Sequence, residues 1–423
     1  MKSWPASDSM VRIAILAFAG EAIFVLPFVM VRLFRPTLLR FWDLSNTQVN
    51  TAMSFYGIVA VACYLFGGPL ADRFRPRWLM ATALLLTAIL GIGMTRQPSA
   101  DLLGIIYAGF GLTTILLFWS AMLRATHELG GMDRRGIAFG FLDGGRGLLA
   151  AILATLLVML LDADSVDSVG LIIWTCVGTT AAAGLAIIFT FRNSPVSKPR
   201  ESPKLQFQLG LVWEVLSRPA VWIQGGLLIC AYMGYKSIDY VGLFGQQVYS
   251  LDEESAARLS TLAFWLRPPA ALIAGWASDR THPFAILIGA FAAMTLGCGT
   301  LASASTLGDQ PGMLGTQAGI SLMLLLGVIT TAASVYAMRG IYFAVFDRIE
   351  IPAPAIGTAA GVVSMVGFLP DVFFGPITGW WIDAHGDAFG FRWFFIAMAG
   401  VATLGAGLCG LQWFFCSRSS VSA

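Results

Sequence analysis

Gly68-Pro-Leu-Ala-Asp-Arg-Phe-Arg-Pro-Arg77 closes one long apolar stretch, and Gly275-Trp-Ala-Ser-Asp-Arg280 closes another 207 positions further on. Each puts an Asp-Arg pair directly after a run too apolar for water. A charge pattern that recurs at matched places between apolar runs is what a duplicated membrane bundle leaves in its sequence. The rest of the chain agrees: 57% of the 423 residues are hydrophobic, 12% are charged, and mean hydropathy is +0.76. A water-soluble surface of ordinary polarity cannot be assembled from that composition, so most side chains must face lipid or other helices.

Windows of about 19 residues resolve twelve candidate spans: 10–34, 46–70, 78–97, 101–124, 135–161, 168–191, 219–249, 255–277, 283–303, 316–343, 355–381 and 393–416. The first follows a single early lysine and has no small-residue cleavage site after it, which predicts a retained helix and not a signal peptide. The longest polar interruption carries Pro195, Pro199 and Pro203 among basic residues. It predicts an N-terminal six-helix bundle over 1–191, an inter-half linker on the cytoplasmic side over 192–218, and a C-terminal six-helix bundle over 219–423. Lys and Arg in short loops resist translocation. With the N-terminus inside, only Arg32, Arg35, Arg40, Arg96, Arg258 and Arg392 fall on the outer side, so both termini are expected in the cytoplasm. Gly136 with Gly140 opens the fifth span and Gly357 with Gly361 the eleventh, a small-residue spacing that predicts close helix packing in lipid.

The run from Gly68 to Arg77 resembles the G-x-L-a-D-r-x-G-r-k signature of the major facilitator superfamily, and Gly275 to Arg280 looks like its degenerate echo in the other half. The resemblance implies an all-α membrane protein of 12 transmembrane helices in two pseudo-symmetric six-helix bundles, and a carrier, not an enzyme. It further implies a conformational latch at Gly68, Asp72, Arg73, Asp279 and Arg280, in which a carboxylate gains a helix end or a basic residue in one state and loses it in the other. One departure is Arg75 followed by Pro76 where the family pattern has glycine. The fifth and seventh helices line solute cavities in the family.

Ionisable side chains inside a span cost about 2.5–3.5 kcal/mol at mid-membrane and need a partner or a wet cavity. Eight stand out: Glu21, Asp143, Arg146, Lys236, Asp239, Arg267, Arg339 and Asp371. Asp143 with Arg146, and Lys236 with Asp239, are three apart and can meet on one helix face. Local neutralisation explains such pairs as readily as solute contact does. Glu21 has no base at helical spacing, which suits a group that loads and releases a proton; a salt bridge to an arginine such as Arg146 is the competing role. Asp371, after Pro370, is the second proton-coupling candidate. Arg267 precedes Pro268 and Pro269, which would distort their helix and leave a guanidinium able to grip a carboxylate or phosphate. Substrate-binding candidates are therefore Arg146, Lys236, Asp239 and Arg267, with Tyr232 and Tyr235 offering rings that also hydrogen-bond. Arg339 can equally snorkel to the interface.

His127, His282 and His385 lie far apart and the six cysteines occur singly, so no metal site and no cofactor are expected. No phosphate-binding loop of the G-x-x-x-x-G-K-[ST] form is present. The net charge of +2 gives no reason to expect nucleic acid. The fifth span reads Gly140-Phe-Leu-Asp-Gly-Gly-Arg-Gly147 without the proline of the antiporter signature. The expected function is secondary-active transport of a small polar or anionic organic solute across the cytoplasmic (inner) membrane by alternating access, as a proton-coupled symporter and a monomer. A proton-coupled efflux antiporter, or a non-transporting membrane sensor with a transporter fold, is the alternative.

Overall fold

The structure, a computed structural model, describes residues 7–130, 135–161, 166–192, 213, 215–308, 317–342, 356–386 and 388–419. Among them there are helices and turns and no strand. The chain divides into two compact units, Met1–Leu44 with Gln48–Gln206, and Ser45–Thr47 with Phe207–Ala423. In the first unit the helices are α1 (Ser7–Phe24), α2 (Met30–Trp42), α3 (Asn46–Arg73), α4 (Pro76–Met94), α5 (Ala100–Gly111), α6 (Ser120–Gly130), α7 (Arg135–Val158) and α8 (Val166–Thr190). In the second they are α9 (Pro219–Ser237), α10 (Val241–Tyr249), α11 (Glu253–Arg280), α12 (Pro283–Gly308), α13 (Gln317–Ile341), α14 (Ile356–Gly367), α15 (Pro370–His385) and α16 (Ala388–Ser419).

Nine helical stretches among the described residues are long and apolar enough to cross a membrane: Met10–Trp42, Pro76–Met94, Ala100–Leu129, Gly140–Val158, Ser168–Thr190, Pro283–Thr306, Ser321–Ile341, Gly361–His385 and Ala388–Ser417. The expected spans 46–70, 219–249 and 255–277 are helical too, but they are richer in polar side chains. Most of the expected linker lies outside the described residues.

Several helices are interrupted for identifiable reasons. Between α1 and α2 the chain widens into a π turn over Val25–Val29 around Pro27, which has no amide to donate. The Tyr107 hydroxyl donates to the Pro27 carbonyl at 3.1 Å. A second π stretch, Leu112–Trp119, joins α5 to α6. There the Thr113 and Thr114 hydroxyls donate back to the Phe110 carbonyl at 3.3 and 2.7 Å, a competition that bends helices. In the second unit a 3-10 turn over Ile238–Tyr240 separates α9 from α10. Phe368 and Leu369 break the chain before Pro370 opens α15.

Two expectations need correction. At Phe34, where the first span was expected to end, the backbone leaves helical geometry (φ −118°, ψ 28°) in a kink, and the helix resumes beyond it to Trp42, so Arg32 and Arg35 on either side are buried helix residues and not loop anchors. Arg35 donates to the Asn50 side chain on α3 at 3.1 Å. Pro268 and Pro269 sit inside α11, within the expected span 255–277. A methyl group added at Gly140 or Gly361 would meet no described atom within 4 Å, so neither is a close-packing site among the described residues, and the surroundings of Gly136 and Gly357 lie outside them. Close approach falls instead at Gly111, where a Cβ would stand 2.7 Å from the Tyr56 carbonyl, and at Gly297, where it would stand 2.8 Å from the Thr331 amide. At both positions a methyl group would drive two backbones apart. Helices in lipid depend on such contact, because the surrounding tails are as apolar as their own side chains and no hydrophobic force drives them together.

Candidate functional site

Each unit holds a buried ion cluster among its described residues. In the first, α1 packs along α7 and brings Glu21 to Arg146. The Arg146 Nε stands 3.7 Å from the Glu21 carboxylate and donates to the Gly20 carbonyl at 3.1 Å, while Nη1 stands 3.9 Å from Asp143. The guanidinium faces the rings of Trp119 at 5.4 Å and Phe24 at 5.7 Å. Those rings border the two π turns: Phe24 ends α1 just before one, and Trp119 is the last residue of the other. The Glu21 side chain is 3% exposed and that of Asp143 is 66% exposed, so water shares only the second carboxylate.

In the second unit Lys236 lies in the last turn of α9 and Asp371 in the first turn of α15. The lysine Nζ stands 3.2 Å from Asp371 and 3.7 Å from Asp239, which sits in the 3-10 turn. The Tyr232 hydroxyl reaches both Asp371 oxygens at 2.9 and 3.0 Å. A cation at the C-terminal end of α9 and an anion at the N-terminal end of α15 each complement the partial charge of their helix end. Tyr232 stacks on Tyr235 with ring centroids 5.7 Å apart, and the Arg339 guanidinium lies 4.0 Å over the Tyr235 ring. Arg339 thus rests on an aromatic face next to the cluster. Arg267 is half-buried on α11.

The structure therefore brings Glu21 together with Arg146, and Tyr232, Tyr235, Lys236, Asp239 and Asp371 together with one another. The long-range partners of Glu21 and Asp371 could not be read from helical spacing, since each contact joins the first long helix of its unit to a later one. Of the latch candidates, Arg73 ends α3, and Asp279 and Arg280 end α11; all three are exposed. Gly68 and Asp72 lie within α3, and their side chains fall outside the described residues.

Sequence reading missed Arg124. On α6 this buried residue donates to the Ala71 carbonyl and, at 3.4 Å, to the Phe74 carbonyl, and it pairs with Glu128 at 2.8 Å. It holds the end of the helix that carries Asp72 and Arg73. Its four-residue spacing from Glu128 was the available signal.

The sequence model of the Major Facilitator Superfamily matches residues 13–370. Inner membrane protein YqcE of Escherichia coli strain K12 is 27% identical over 408 residues, covering 93% of this chain and 92% of its own length. "Probable nitrate/nitrite transporter NarK2" of Mycobacterium tuberculosis is 22% identical over 340 residues, covering 78% of this chain and 79% of its own. A solved bacterial homolog of the human lysosomal transporter Spinster superposes with a TM-score of 0.73 at 15% identity, over 99% of this chain and 98% of that one. At that identity the likeness concerns the fold alone.

Proposed function

The chain belongs to the major facilitator superfamily, and we propose that it carries a small polar or anionic organic solute by alternating access, driven by proton symport. It is a multi-pass protein of the cytoplasmic (inner) membrane, in keeping with its apolar helices and its inner-membrane relatives. In this reading the helices form twelve spans in two pseudo-symmetric six-helix bundles, divided at 192–218, with both termini cytoplasmic. The distribution of loop arginines and lysines supports that orientation.

The observation that carries the proposal is Lys236 between two carboxylates, at 3.2 and 3.7 Å, with all three side chains buried. Two acids face two bases there, Lys236 and the Arg339 guanidinium on the Tyr235 ring, so one proton taken up leaves the cluster net positive and ready for an anion. Protonation of Asp371 removes the charge that holds Lys236 most closely. The lysine then keeps Asp239 and can meet an anionic group of the solute. Tyr232 and Tyr235 supply the ring surface beside it, and Arg267 of the same unit is a further cationic candidate; Arg146 is a solute candidate within the first unit's own cluster. The nitrate/nitrite assignment in the name of one relative supports an anionic solute.

Reconstitution into vesicles with and without an inward proton gradient tests this. Asp371→Asn is expected to cut gradient-driven accumulation at least ~10-fold while solute exchange continues, since only the coupled step needs the proton. Accumulation unchanged in Asp371→Asn would move the proton role to Glu21, where Glu21→Gln is the matching variant; unchanged accumulation in both removes symport. The latch at Gly68, Asp72, Arg73, Asp279 and Arg280 belongs to the same reading. Asp72→Asn should slow turnover at near-normal solute affinity, and normal turnover would remove that role.

A further inference from the structure

We propose that the junction of α3 and α4 binds the phosphate of an anionic phospholipid. Arg73, Arg75 and Arg77 fall within five residues there. None of the three makes an ion pair or side-chain hydrogen bond among the described residues. Arg73 and Arg75 are exposed, and the Arg77 guanidinium lies 4.6 Å over the Trp78 ring with its Nε buried and without a hydrogen-bond partner. Glu128, the acid brought close by α6, is held by Arg124 at 2.8 Å. With Asp72 beside them in the sequence, three arginines against one carboxylate leave two positive charges in excess at this place.

The ground around it favours lipid over a soluble anion. Arg75 precedes Pro76, the first residue of α4, and α4 is itself apolar and long enough to enter the bilayer at that point. No side chain caps this helix start, so its partial positive charge adds to that of the arginines. Phe74 and Trp78 are each 49% exposed and Phe66 is 64% exposed. Large aromatic side chains left open beside guanidinium groups at a span boundary match a molecule with an acyl chain below and a phosphate above. Arginine offers the forked donors that phosphate accepts. The second unit has a partial counterpart, Arg280 over Trp276 at 4.0 Å, but there one arginine adjoins one aspartate, Asp279, whereas Asp72 adjoins three arginines.

The test uses the full-length protein in detergent, with dioleoyl phosphatidylglycerol, dioleoyl phosphatidylcholine or inorganic phosphate added. The readouts are thermal unfolding and retention of lipid in native mass spectrometry. Phosphatidylglycerol should raise the unfolding temperature and be retained, phosphatidylcholine should do neither, and the effect should weaken with salt. Arg75→Gln with Arg77→Gln should lower apparent phosphatidylglycerol affinity about 30-fold. Arg75→Lys with Arg77→Lys retains the charge and should retain most of the binding, which guards against loss through misfolding. Arg258→Gln, at an exposed arginine already paired with Glu254, should bind as the parent does. Equal response to the two lipids overturns the proposal, as does an equal response to inorganic phosphate, or full binding in the double glutamine variant.

Discussion

The two ion clusters use the same parts in opposite order. In the first unit the acid, Glu21, stands on the first helix and the base, Arg146, on α7; in the second the base, Lys236, stands on the unit's first long helix and the acid, Asp371, on α15. Their surroundings differ more than their chemistry. Arg146 is held by a backbone carbonyl and two aromatic faces, with its carboxylates at 3.7 and 3.9 Å. Lys236 is held at 3.2 Å by a carboxylate that a tyrosine also binds. The first cluster adds to its two carboxylates a carbonyl and two ring faces, which do not titrate, whereas the second sets two buried carboxylates against its lysine. The helix interruptions follow the same division. Two π turns adjoin the rings around Arg146, while in the second unit a 3-10 turn follows α9 and a two-residue turn precedes α15, with Lys236 and Asp371 beside them.

From that contrast, Lys236→Met should produce the largest effect of any single change in the two clusters. It leaves Asp371 and Asp239 buried and mutually repelling, at a cost of about 3–5 kcal/mol. Thermal unfolding in detergent would show it, and Lys236→Met combined with Asp371→Asn should recover most of the loss. A single variant as stable as the parent would mean that the lysine is not what holds these acids. Arg146→Met should cost less, about 2 kcal/mol, because only Glu21 is left buried without its base. A loss as large as that of Lys236→Met would erase the difference between the clusters. Smallest of all is Asp143→Asn, expected within about 0.5 kcal/mol, because its carboxylate is 66% exposed and water screens the pair. A clear drop in unfolding temperature for that variant would show that Asp143 is a full member of the first cluster.

Much of the fold was legible because a bilayer demands it. About 20 apolar residues per crossing leave a mark that does not depend on how helices are arranged. The pairs Asp143 with Arg146 and Lys236 with Asp239 were legible for a similar reason, as three-residue spacing puts them on one face. Arg32 and Arg35 resemble loop residues in the sequence because a buried arginine in an amphipathic helix has the same local pattern as an anchor at its end. The sequence carries one span through Pro268 and Pro269 and another through Pro370; the first is unbroken as α11 and the second is interrupted at Phe368 and Leu369, since neighbouring packing decides whether a proline kinks its helix.

Composition and periodicity by themselves determined that this is a helical membrane protein, and the Gly68–Arg77 run with its echo pointed to its family. These are properties of each segment against its solvent, and a segment carries them wherever it packs. Which buried charge meets which was decided only in three dimensions. Glu21 and Arg146 are 125 positions apart and Lys236 and Asp371 are 135 apart, so their distances depend on how rigid helices pack side by side. No spacing within a single helix can encode that.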